Sequence, residues 1–576
     1  MLRVTNETPA EFCIRLERQV RAEARYAWDA ARVRWEKPLG DRVDAGRAIG
    51  PLTIIEESTI NRTRLIHFDP SANDASIFRE GDVVRLSRND PGGADFADVM
   101  FHGLTAKGLT ITSPKGMSFA TRDGWTLDET VIDLTDLYLR ALNELATTSH
   151  GRDAVMPALL QCEGDSIDFE EHEEALEDMC DVPLDESQTD AVATCLASER
   201  FHLVQGPPGT GKTHALARLV EQLVMRGNRV LVCAFTHRAI HHALRKITPL
   251  VDCPVFKVSD PFPHDGEGIK FRDTFADTGL LDEPGPYVIG CTPFALFTNR
   301  AAEARFDVAV IDETSQLRIE AAIMPMLRAR KWFFFGDACQ LPPVVLRPVD
   351  DPASESVFVA LSRKGGHTML RTTYRMNAPL CQWPSENFYQ GDLVADRRIA
   401  GHRFTLKQSD PPPPALDPEP SLVRVALPHL GNRASSPEEA DEVAALIGGM
   451  LDGGLAPGEI GVVVPFRAHA ARIRKLLRFP RFADRPGIAD LAVDTVERFQ
   501  GQEREAVIVS FAVSDEAFMD RLGSFLTYPQ RLNVAVTRAR TKVILVHSES
   551  LHRWLERQAP HDERSALALS LFNSAG

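Results

Sequence analysis

The sequence predicts an α/β protein in which two parallel β-sheets follow one another, preceded by a helical stalk that carries a small β-barrel. From about residue 182 onward, apolar strand-like segments alternate with helical periodicity, which is typical of parallel sheets covered on both faces. Before that point, residues 48–128 hold short β-like runs separated by Gly, Asn, Asp and Pro, with helical segments on either side. These two patterns together define the fold class.

The length supports several domains. At 576 residues the chain is too long for one hydrophobic core, and about 150 residues per domain gives three to four domains. We expect a stalk helix at 1–47, the β-barrel at 48–128, a second stalk helix and connection at 129–162, an acidic linker at 163–181, and two parallel-sheet domains at 182–365 and 366–576. A proline-rich loop at 410–420 in the last domain is expected to be stiff and exposed.

The stalk begins with a recognisable helix start. Thr8-Pro9-Ala10-Glu11 combines a capping box with proline at the first helical position, and helical propensity continues to about Glu36. A second helix is expected from about Leu127 to Ala146. The residues available for one face of the first helix are Phe12, Leu16, Val20, Ala24, Trp28 and Val33.

The expected strands follow from short apolar or β-branched runs. In the barrel they are Leu52–Ile55, Arg64–Phe68, Asp82–Leu86 and Leu109–Ile111. In the two parallel sheets they include Val230–Ala234, Tyr287–Gly290, Val308–Ile311, Trp332–Phe335, Ile460–Val464, Ala506–Phe511 and Val543–Val546.

Composition excludes several classes of protein. A hydrophobic content of 44% and a charged content of 25% are typical of a soluble globular chain, and no apolar run approaches the roughly 18 residues that a membrane span needs. Nine cysteines occur singly without any Cys-x-x-Cys pair, which argues against a zinc ribbon or iron–sulfur cluster. Reduced thiols and the lack of a signal-peptide pattern favour the cytoplasm.

The net charge of −16 is concentrated in one segment. Residues 163–186 contain twelve Asp or Glu and no Lys or Arg. Such a run predicts a solvated, partly disordered linker. The alternative is a regulatory acidic segment that competes for a basic groove.

One motif points to nucleoside triphosphate binding. Residues Gly206, Pro207, Pro208, Gly209, Thr210, Gly211, Lys212 and Thr213 have P-loop spacing between a buried strand and an amphipathic helix. Glycines let backbone N–H groups turn toward phosphates, and the helix N-terminus adds its positive dipole. Lys212 can reach the β- and γ-phosphates, while the Thr213 hydroxyl can hold Mg²⁺. We therefore predict ATP and Mg²⁺ as cofactors.

Two further motifs complete the expected catalytic centre. Asp312 and Glu313 follow an apolar strand, where Asp312 can bind Mg²⁺ through water and Glu313 can activate the attacking water. Gln340 follows another buried strand and is a candidate sensor of the γ-phosphate or the water.

The ordered set of motifs resembles the superfamily 1 helicases, in the branch of the nonsense-mediated-decay helicase and senataxin. The segments that carry the resemblance are the P-loop, Asp312–Gln316, Gly336–Val344, Thr373–Asn377, Thr495–Glu503 and Asn533–Arg540. They extend over about residues 184–546. The resemblance implies two RecA-like P-loop domains in tandem and stalk–barrel–stalk elements before them.

The resemblance also implies roles for further residues around the nucleotide. Gln188 should hydrogen-bond the adenine and Tyr374 should stack on it or beside it. Arg375 and Arg538, both from the second domain, should reach the γ-phosphate, where a guanidinium stabilises developing charge. Gly501 and Glu503 should lie at the ribose and phosphate side.

Nucleic acid should cross both domains on the face opposite the ATP cleft. The expected contacts are Thr236, His237, Thr292, Pro465, Arg467, Thr495 and Gln500. The family usually has asparagine where His237 stands and glutamine where His469 stands. Residues 251–287 offer only a short stretch where eukaryotic members carry a helical insertion.

These expectations combine into an ATP-dependent helicase or translocase on single-stranded nucleic acid, with the 5′→3′ polarity that the resemblance implies. The main alternative is an ATP-gated clamp or remodeller that does not unwind duplexes. A P-loop switch that binds no nucleic acid is a third reading, which the two arginines of the second domain argue against. The motifs do not distinguish DNA from RNA and indicate no protein partner.

Overall fold

The computed structural model describes residues 7–60, 63–69, 76, 78, 81–105, 107–114, 119, 121–160, 166–259, 268–281, 283–347, 355–407 and 413–575. They form a mixed α/β fold with an antiparallel sheet, two large parallel sheets and a two-stranded sheet. Within these ranges, no helix has both the length and the apolar character needed to cross a membrane.

The chain begins with helices α1 (Pro9–Trp35) and α2 (Leu39–Asp44). The capping box at the start of α1 is present, because the Thr8 hydroxyl accepts the Glu11 N–H and the Glu11 carboxylate accepts the Thr8 N–H. The expected buried face is only partly correct. Val33 is 60% exposed, whereas the buried residues are Phe12, Leu16, Gln19, Val20, Ala27 and Ala31. At about 100° per residue, the stripe that starts at Phe12 continues through Ala27 and Ala31.

The antiparallel sheet follows. Its strands are β1 (Ala48–Leu52), β2 (Ile54–Ile60), β3 (Thr63–Phe68), β4 (Val83–Ser87), β5 (Phe96–Thr105), β6 (Gly108–Thr112) and β7 (Trp125–Glu129). Their order is β1-β7-β4-β5-β6-β3-β2. Only Thr53 separates β1 from β2, although these strands lie at opposite ends of that order, so the sheet must curve until its ends meet. Closure into a complete barrel stays a prediction.

The second stalk helix starts later than the sequence suggested. Residues 127–129 belong to β7, which pairs with both β1 and β4 and buries four consecutive residues. The sequence Trp125-Thr-Leu-Asp-Glu129 does alternate apolar and polar residues as a strand does, but the alternation covers only five residues just before a helical region. The helices that follow are α3 (Thr135–Thr147), α4 (Met156–Leu160) and α5 (Phe169–Asp178).

The acidic segment was predicted to be solvated and partly disordered; residues 169–178 are mostly exposed but form the helix α5. Asp168 caps this helix by accepting the N–H groups of Glu170 and Glu171. Ala175 and Met179 are buried against the next helix, so one small apolar stripe suffices to dock an otherwise acidic segment. Residues 163–165 lie outside the described residues.

The first parallel sheet has the strand order β11-β10-β12-β9-β13-β14-β8-β15. Its strands are β8 (Phe201–Gln205), β9 (Val230–Cys233), β10 (Val255–Val258), β11 (Lys270–Arg272), β12 (Val288–Cys291), β13 (Phe306–Ile311), β14 (Ala329–Gly336) and β15 (Thr368–Met369). The accompanying helices are α6 (Glu186–Ala197), α7 (Lys212–Met225), α8 (His237–Ile247), α9 (Ile319–Met326) and α10 (Val357–Ser362).

The second parallel sheet has the order β18-β22-β21-β19-β20, beside the two-stranded pair β16 (Thr372–Thr373) and β17 (Val394–Ala395). Its strands are β18 (Leu422–Leu427), β19 (Ile460–Val464), β20 (Ala492–Thr495), β21 (Arg504–Ser510) and β22 (Ala539–Ser548). The helices are α11 (Ala378–Phe388), α12 (Pro437–Asp452), α13 (Arg467–Leu476), α14 (Pro480–Ala483), α15 (Val496–Phe499), α16 (Glu516–Leu526), α17 (Pro529–Val536), α18 (Glu549–Gln558) and α19 (Glu563–Ser574).

Most described residues of the proline-rich loop are exposed, and Leu416 is buried. Residues 410–412 lie outside the described residues, but Pro414–Leu416 form one 3₁₀ turn and Leu416 is 1% exposed. Leu416 packs in the same hydrophobic cluster as α12, which ties the loop to the second sheet.

Helices α1 and α3, the predicted stalk, pack against the first parallel sheet. Phe12 of α1 and Leu145 of α3 share one hydrophobic cluster with residues of β13 and α9. The guanidinium of Arg328, which is 5% exposed, bonds both carboxylate oxygens of Glu144 at 2.5 and 3.0 Å and lies 4.4 Å above the ring of Phe297. This bidentate pair fixes α3 against the sheet.

We expect Arg328→Ala to destabilise the protein by about 2–3 kcal/mol, because it removes a cation–π contact and strips Glu144 of its partner. Urea denaturation should show an earlier transition, with faster proteolysis near α3. Arg363→Ala, which breaks the exposed Arg363–Glu355 pair, is the control and should cost below about 1 kcal/mol. Equal losses in the two variants would contradict the anchoring role.

Candidate nucleotide site and nucleic-acid surface

The P-loop connects β8 to α7 as the motif predicted. Gly209 and Gly211 have φ angles of +78° and +72°, which side chains other than glycine rarely adopt. Lys212 and Thr213 are partly buried in the first turn of α7, where backbone N–H groups point into the loop. The loop therefore has the geometry of an anion-binding site.

The loop is also held by its own backbone. The Gly206 N–H donates to the Gly336 carbonyl at 2.8 Å, and the Thr210 hydroxyl donates to the Pro207 carbonyl at 2.8 Å. Gly336 ends β14, so the first of these bonds joins the P-loop directly to the neighbouring strand.

A triad of charged side chains forms the centre of the site. The Nζ of Lys212 lies 3.2 Å from Oδ1 of Asp312 and 3.2 Å from Oε1 of Glu313. Burial by itself lowers the pKa of Lys212, but the two carboxylates outweigh it and raise that pKa above its usual range. Burial raises the pKa of Asp312, although Lys212 opposes the rise. Lys212 therefore lies between the two carboxylates that follow β13.

The donor set suits a magnesium nucleotide. The Thr213 hydroxyl and the Asp312 carboxylate supply hard oxygen ligands of the kind that Mg²⁺ takes alongside phosphate oxygens. Lys212 supplies a point charge for phosphate. The residues therefore fit ATP with Mg²⁺ by chemistry.

Glu313 has a strained backbone. Its φ of +55° is left-handed, which is uncommon for a residue other than glycine, and its N–H donates to Oδ1 of Asp312 at 2.8 Å. Such conformations cost about 1–3 kcal/mol and cluster at functional sites. With this backbone conformation, the Glu313 carboxylate lies 3.2 Å from Nζ of Lys212.

Gln340 belongs to a buried polar cluster around Asp337. The Asp337 carboxylate accepts hydrogen bonds from Gln205 at 3.1 Å, Gln340 at 2.9 Å and the Tyr389 hydroxyl at 2.8 Å. Burial raises the pKa of Asp337, although these hydrogen bonds act in the opposite direction. The Gln340 oxygen accepts a 3.5 Å contact from the amide of Gln500.

Sequence reasoning missed the members of this cluster other than Gln340. Asp337 lies inside the Gly336–Val344 motif, so its position three residues before Gln340 was an available signal. Asn533 begins the Asn533–Arg540 motif and so also had a signal, whereas Tyr389 had none. The Asn533 amide donates to the Cys339 carbonyl at 2.8 Å and to the Tyr389 oxygen at 3.0 Å. The cluster links the first sheet to the second.

The two predicted arginines face the site from the second sheet's side. Arg375 donates from Nε to Glu503 at 2.9 Å and from Nη1 to the Thr537 carbonyl at 3.0 Å. Burial lowers the pKa of Arg375, and Glu503 partly offsets this. Burial alone would raise the pKa of Glu503, but Arg375 and Arg540 bring it below its usual range.

Arg538 is the more deeply buried of the pair. It is 2% exposed, and its Nε donates to the Val534 carbonyl at 3.0 Å. Burial, together with Arg375, lowers the pKa of Arg538 to about 9, while Glu313 acts in the opposite direction. Arg538 therefore lies within electrostatic range of the proposed catalytic carboxylate.

The segment that carries Arg375 is docked onto the P-loop. The Tyr374 N–H donates to the Gly209 carbonyl at 2.8 Å, and the Thr373 hydroxyl donates to the Pro208 carbonyl at 2.9 Å. A side chain at Gly209 would meet Cβ of Arg375 at 2.5 Å. Glycine is therefore required here for close approach as well as for φ.

The residues predicted to read adenine are engaged with the protein. The Gln188 amide donates to the Thr210 carbonyl at 2.9 Å, and its oxygen accepts the Asp185 N–H at 3.2 Å. The Tyr374 hydroxyl donates to Asp185 at 2.7 Å, and burial followed by this bond raises the pKa of Tyr374. Base contacts by Gln188 and Tyr374 stay predictions. Gly501, with φ of +76°, lies in the loop between α15 and β21.

Three predicted nucleic-acid contacts lie together at the carboxyl ends of β9 and β12. Thr236 caps α8 by accepting the Ala239 N–H at 3.3 Å, and His237 is the exposed first residue of that helix. Thr292 follows β12 and lines the same cavity as His237. Hydroxyls and a helix N-terminus at one sheet edge suit phosphate binding.

The contacts predicted in the second sheet are spread more widely. Pro465 and exposed Arg467 follow β19, and Thr495 ends β20 with 6% exposure. Gln500 touches Gln340, so the structure places it in the cleft between the sheets on the nucleotide side. His469 is buried, with Nε2 2.8 Å from the Ser510 hydroxyl, and burial lowers its pKa to about 3.

Two protein-family models, both described as an AAA domain, match this chain. One matches residues 183–260 and 287–348, and the other matches residues 353–550. Together they cover most of the two parallel sheets.

Curated relatives are similar to between 63% and 94% of this chain. "DNA replication ATP-dependent helicase/nuclease dna2" of Schizosaccharomyces pombe is 27% identical over 400 residues, covering 64% of this chain and 28% of that protein. "Regulator of nonsense transcripts 1 homolog" of Drosophila melanogaster is 29% identical over 409 residues, covering 63% and 34%. "DNA-binding protein SMUBP-2" of Mus musculus is 25% identical over 636 residues, covering 94% and 61%. The chain spans less than two thirds of each of these relatives.

Among solved structures, "Crystal structure of Arterivirus nonstructural protein 10 (helicase)" matches with 14% identity and a TM-score of 0.38, over 92% of this chain and 82% of that chain. "The structure of PRRSV helicase" matches with 14% identity and a TM-score of 0.33, over 87% and 70%. At these TM-scores the likeness carries no inference about this chain.

The burial of Arg538 makes lysine a poor replacement. We expect Arg538→Lys to lower the nucleic-acid-stimulated ATPase rate by about 10²–10³-fold, because lysine lacks the planar fork. A lysine also starts from an ordinary pKa of about 10.4, so the same burial leaves it partly neutral near pH 8.

The ATPase deficit of Arg538→Lys should depend on pH. A lysine whose pKa is depressed is charged below that pKa, so the deficit of the variant relative to the wild type should shrink from pH 8.5 to pH 6.5. Steady-state kcat/KM at both values measures this. Arg540→Lys, at a half-exposed ion pair with Glu503, is the control and should lose little. Full activity of Arg538→Lys at pH 8.5 would contradict the role given to Arg538.

Proposed function

Because this chain belongs to the superfamily 1 helicases, we propose that it is an ATP-dependent motor that moves along single-stranded nucleic acid and separates duplexes. One observation supports this proposal most strongly. Arg375 follows Tyr374 in a segment that is hydrogen-bonded to the P-loop backbone, and Arg538, just after α17, lies within electrostatic range of Glu313. Hydrolysis at such a site depends on how the second sheet is seated against the first.

The proposed chemistry uses residues of both sheets. Lys212 binds the β- and γ-phosphates, and Glu313 orients and deprotonates the attacking water. Thr213 and Asp312 supply the oxygen ligands for Mg²⁺, which neutralises phosphate charge when bound. Gln340 contacts the γ-phosphate or the water, and its neutral amide can exchange partners within the Asp337 cluster.

The arginines complete the site from the second sheet. Arg375 and Arg538 stabilise charge on the transferring phosphoryl group, an effect worth about 10³–10⁵ in rate for arginine fingers. Glu503 holds Arg375 in place, since it is the carboxylate bonded to Arg375 Nε. Loss of the γ-phosphate would release the arginines and allow the two sheets to separate.

We propose further that the two parallel sheets are RecA-like domains and that the antiparallel sheet is an accessory β-barrel on the stalk. The strand would cross the face carrying Thr236, His237, Thr292, Pro465 and Arg467. Sliding of the second domain against the first would then shift the grip on the strand. The 5′→3′ polarity is part of the proposal, and DNA and RNA remain alternatives.

A clamp or remodeller without unwinding activity is the second candidate. The observation in its favour is the short segment where eukaryotic members carry a helical insertion. Its described residues add β10 and β11 to the edge of the first sheet, with residues 260–267 and 282 outside the description. A strand-displacement assay on tailed duplexes separates the two candidates.

Lys212→Ala and Glu313→Gln test the proposed chemistry. Glu313→Gln should lower kcat by about 10²–10⁴-fold while ATP still binds, because the isosteric amide cannot accept the proton. Lys212→Ala should weaken both binding and turnover. Glu516→Gln, an exposed carboxylate on α16, is the matched control. Stimulated hydrolysis that survives in both variants would disprove the assignment.

The motor activity is tested by nucleic-acid assays on the full chain. ATPase rates should rise with matched single-stranded DNA or RNA, and duplexes with a 5′ tail should unwind faster than those with a 3′ tail. Stimulated ATPase without strand displacement would favour the clamp. Absence of salt-dependent oligonucleotide binding would favour the third alternative, a P-loop switch that binds no nucleic acid.

A further inference from the structure

Helix α17 holds both arginines that face the nucleotide site. Arg538 donates from Nε to the Val534 carbonyl at 3.0 Å, and Arg375 donates from Nη1 to the Thr537 carbonyl at 3.0 Å. Val534 lies in the last turn of α17, and Thr537 is the C-cap residue that follows the helix. Carbonyls at a helix end lack intrahelical partners and can accept such bonds. The position of α17 therefore sets where the two guanidinium groups lie.

The same helix is joined to the first sheet through Asn533. The side-chain amide of Asn533 donates to the Cys339 carbonyl at 2.8 Å and to the Tyr389 oxygen at 3.0 Å, and the residue is fully buried. A backbone carbonyl can only accept, so the NH₂ group of Asn533 and not its oxygen must face Cys339. Both hydrogens of this amide are in use, so a shift of Tyr389 is transmitted to α17.

Tyr389 is the C-cap residue of α11 and the middle of a hydrogen-bond chain. It is 2% exposed, and its hydroxyl donates to Oδ2 of Asp337 at 2.8 Å. Since a hydroxyl has one hydrogen, Tyr389 can only accept from Asn533. The amide of Gln340 donates to the same Oδ2 at 2.9 Å. These four side chains form one continuous chain that ends on α17.

The shared carboxylate oxygen makes the chain sensitive to the partner of Gln340. Two donors on one oxygen compete for its charge, so each bond is weaker than it would be alone. When Gln340 turns to another acceptor, Oδ2 of Asp337 is left to the Tyr389 hydroxyl, and that bond becomes stronger. The change is larger inside a protein than in water, because a low local dielectric strengthens hydrogen bonds and lets them polarise one another.

We propose that Tyr389 is a positioning residue that relays the partner of Gln340 to the two arginines. The inference rests on the proposed function, in which Gln340 contacts the γ-phosphate or the attacking water. While Gln340 is engaged there, the bond from Tyr389 to Asp337 is strong, and α17 is tied firmly to the first sheet. Both guanidinium groups are then held at the phosphate.

The return of Gln340 to Asp337 ends this arrangement. Once the γ-phosphate has left, Gln340 competes again for Oδ2 and the bond from Tyr389 weakens. Helix α17 is then held less firmly, and the second sheet can separate from the first. The relay thus acts on hydrolysis and on the seating of the two sheets, and it leaves the P-loop and the Mg²⁺ ligands unchanged.

Tyr389→Phe tests the relay, because it removes the hydroxyl and keeps the ring. It should lower the nucleic-acid-stimulated kcat of the full chain about 5- to 100-fold, as expected for a broken buried hydrogen bond, while KM for ATP stays close to the wild-type value. A kcat like that of the wild type overturns the relay, and so does a raised KM with kcat unchanged.

Tyr287→Phe is the matched control. It also removes a buried tyrosine hydroxyl, which donates to the Arg305 carbonyl at 3.3 Å beside the amino end of β12. This variant should keep the wild-type kcat. If both variants lose kcat equally, the loss reflects a missing buried hydroxyl in general, and the specific role of Tyr389 is wrong.

Nucleotide binding separates the relay from a general distortion of the site. ADP with Mg²⁺ should bind Tyr389→Phe as tightly as it binds the wild type, because the P-loop is intact. ADP with aluminium fluoride, which mimics the transferring phosphoryl group, should bind the variant about 5- to 100-fold more weakly. Equal weakening of both ligands would show a distorted site and would contradict the relay.

A double-mutant cycle tests the link to Gln340. In the Gln340→Ala background the bond from Tyr389 to Asp337 is the same before and after the ligand binds. Removing the Tyr389 hydroxyl should therefore weaken aluminium fluoride binding by less in that background than in the wild type. Losses that simply multiply would show that Tyr389 acts independently of Gln340, and the relay would be wrong.

The relay and the proposed motor function fail in different ways. If the wild type shows nucleic-acid-stimulated ATPase and Tyr389→Phe behaves like it, only the relay fails. If the wild type shows no stimulated hydrolysis at all, the proposed motor function fails with it.

Discussion

The parallel register of β8, β13 and β14 is the constraint on which the site depends. Gln205 pairs with Gly336 at the ends of β8 and β14, and Ile311 pairs with Phe334, so all three strands end at one edge. The P-loop, the Asp312–Glu313 pair and the Gln340 loop leave from those ends. Lys212 can then reach both carboxylates at 3.2 Å. A strand placed elsewhere in the sheet would separate groups that are about 100 residues apart in sequence.

The second sheet is linked to this edge by backbone contacts. Tyr374 and Thr373 bond the carbonyls of Gly209 and Pro208, and the Asp337 cluster reaches Tyr389 and Asn533. Backbone bonds to a loop that must also cradle phosphates give a physical route from the nucleotide to the second sheet. Helices α1 and α3 are fixed by different means, through apolar packing and the partly buried Arg328–Glu144 pair.

Much of the fold could be predicted from local patterns, and the failures have physical causes. The α1 capping box was visible because its two side chains are three residues apart. Strand β7 was missed because its alternation covers only five residues before a helical region, and β5 was missed because its ten residues mix apolar and polar groups. Helix α5 was misjudged because Ala175 and Met179 dock a segment that composition alone assigns to solvent.

The sequence by itself determined the nucleotide chemistry of this protein, because a P-loop, two carboxylates and two arginines at ordered spacings leave few other uses. It could not determine which of these side chains are bonded to other residues of the protein. The hydrogen bond of Gln188 to the P-loop, the ion pair of Glu503 with Arg375 and the edge-to-face contact of Phe235 with Phe294 were decided by tertiary structure alone. The reason is that these contacts join segments whose separation in space depends on how sheets and helices pack, which no local pattern encodes.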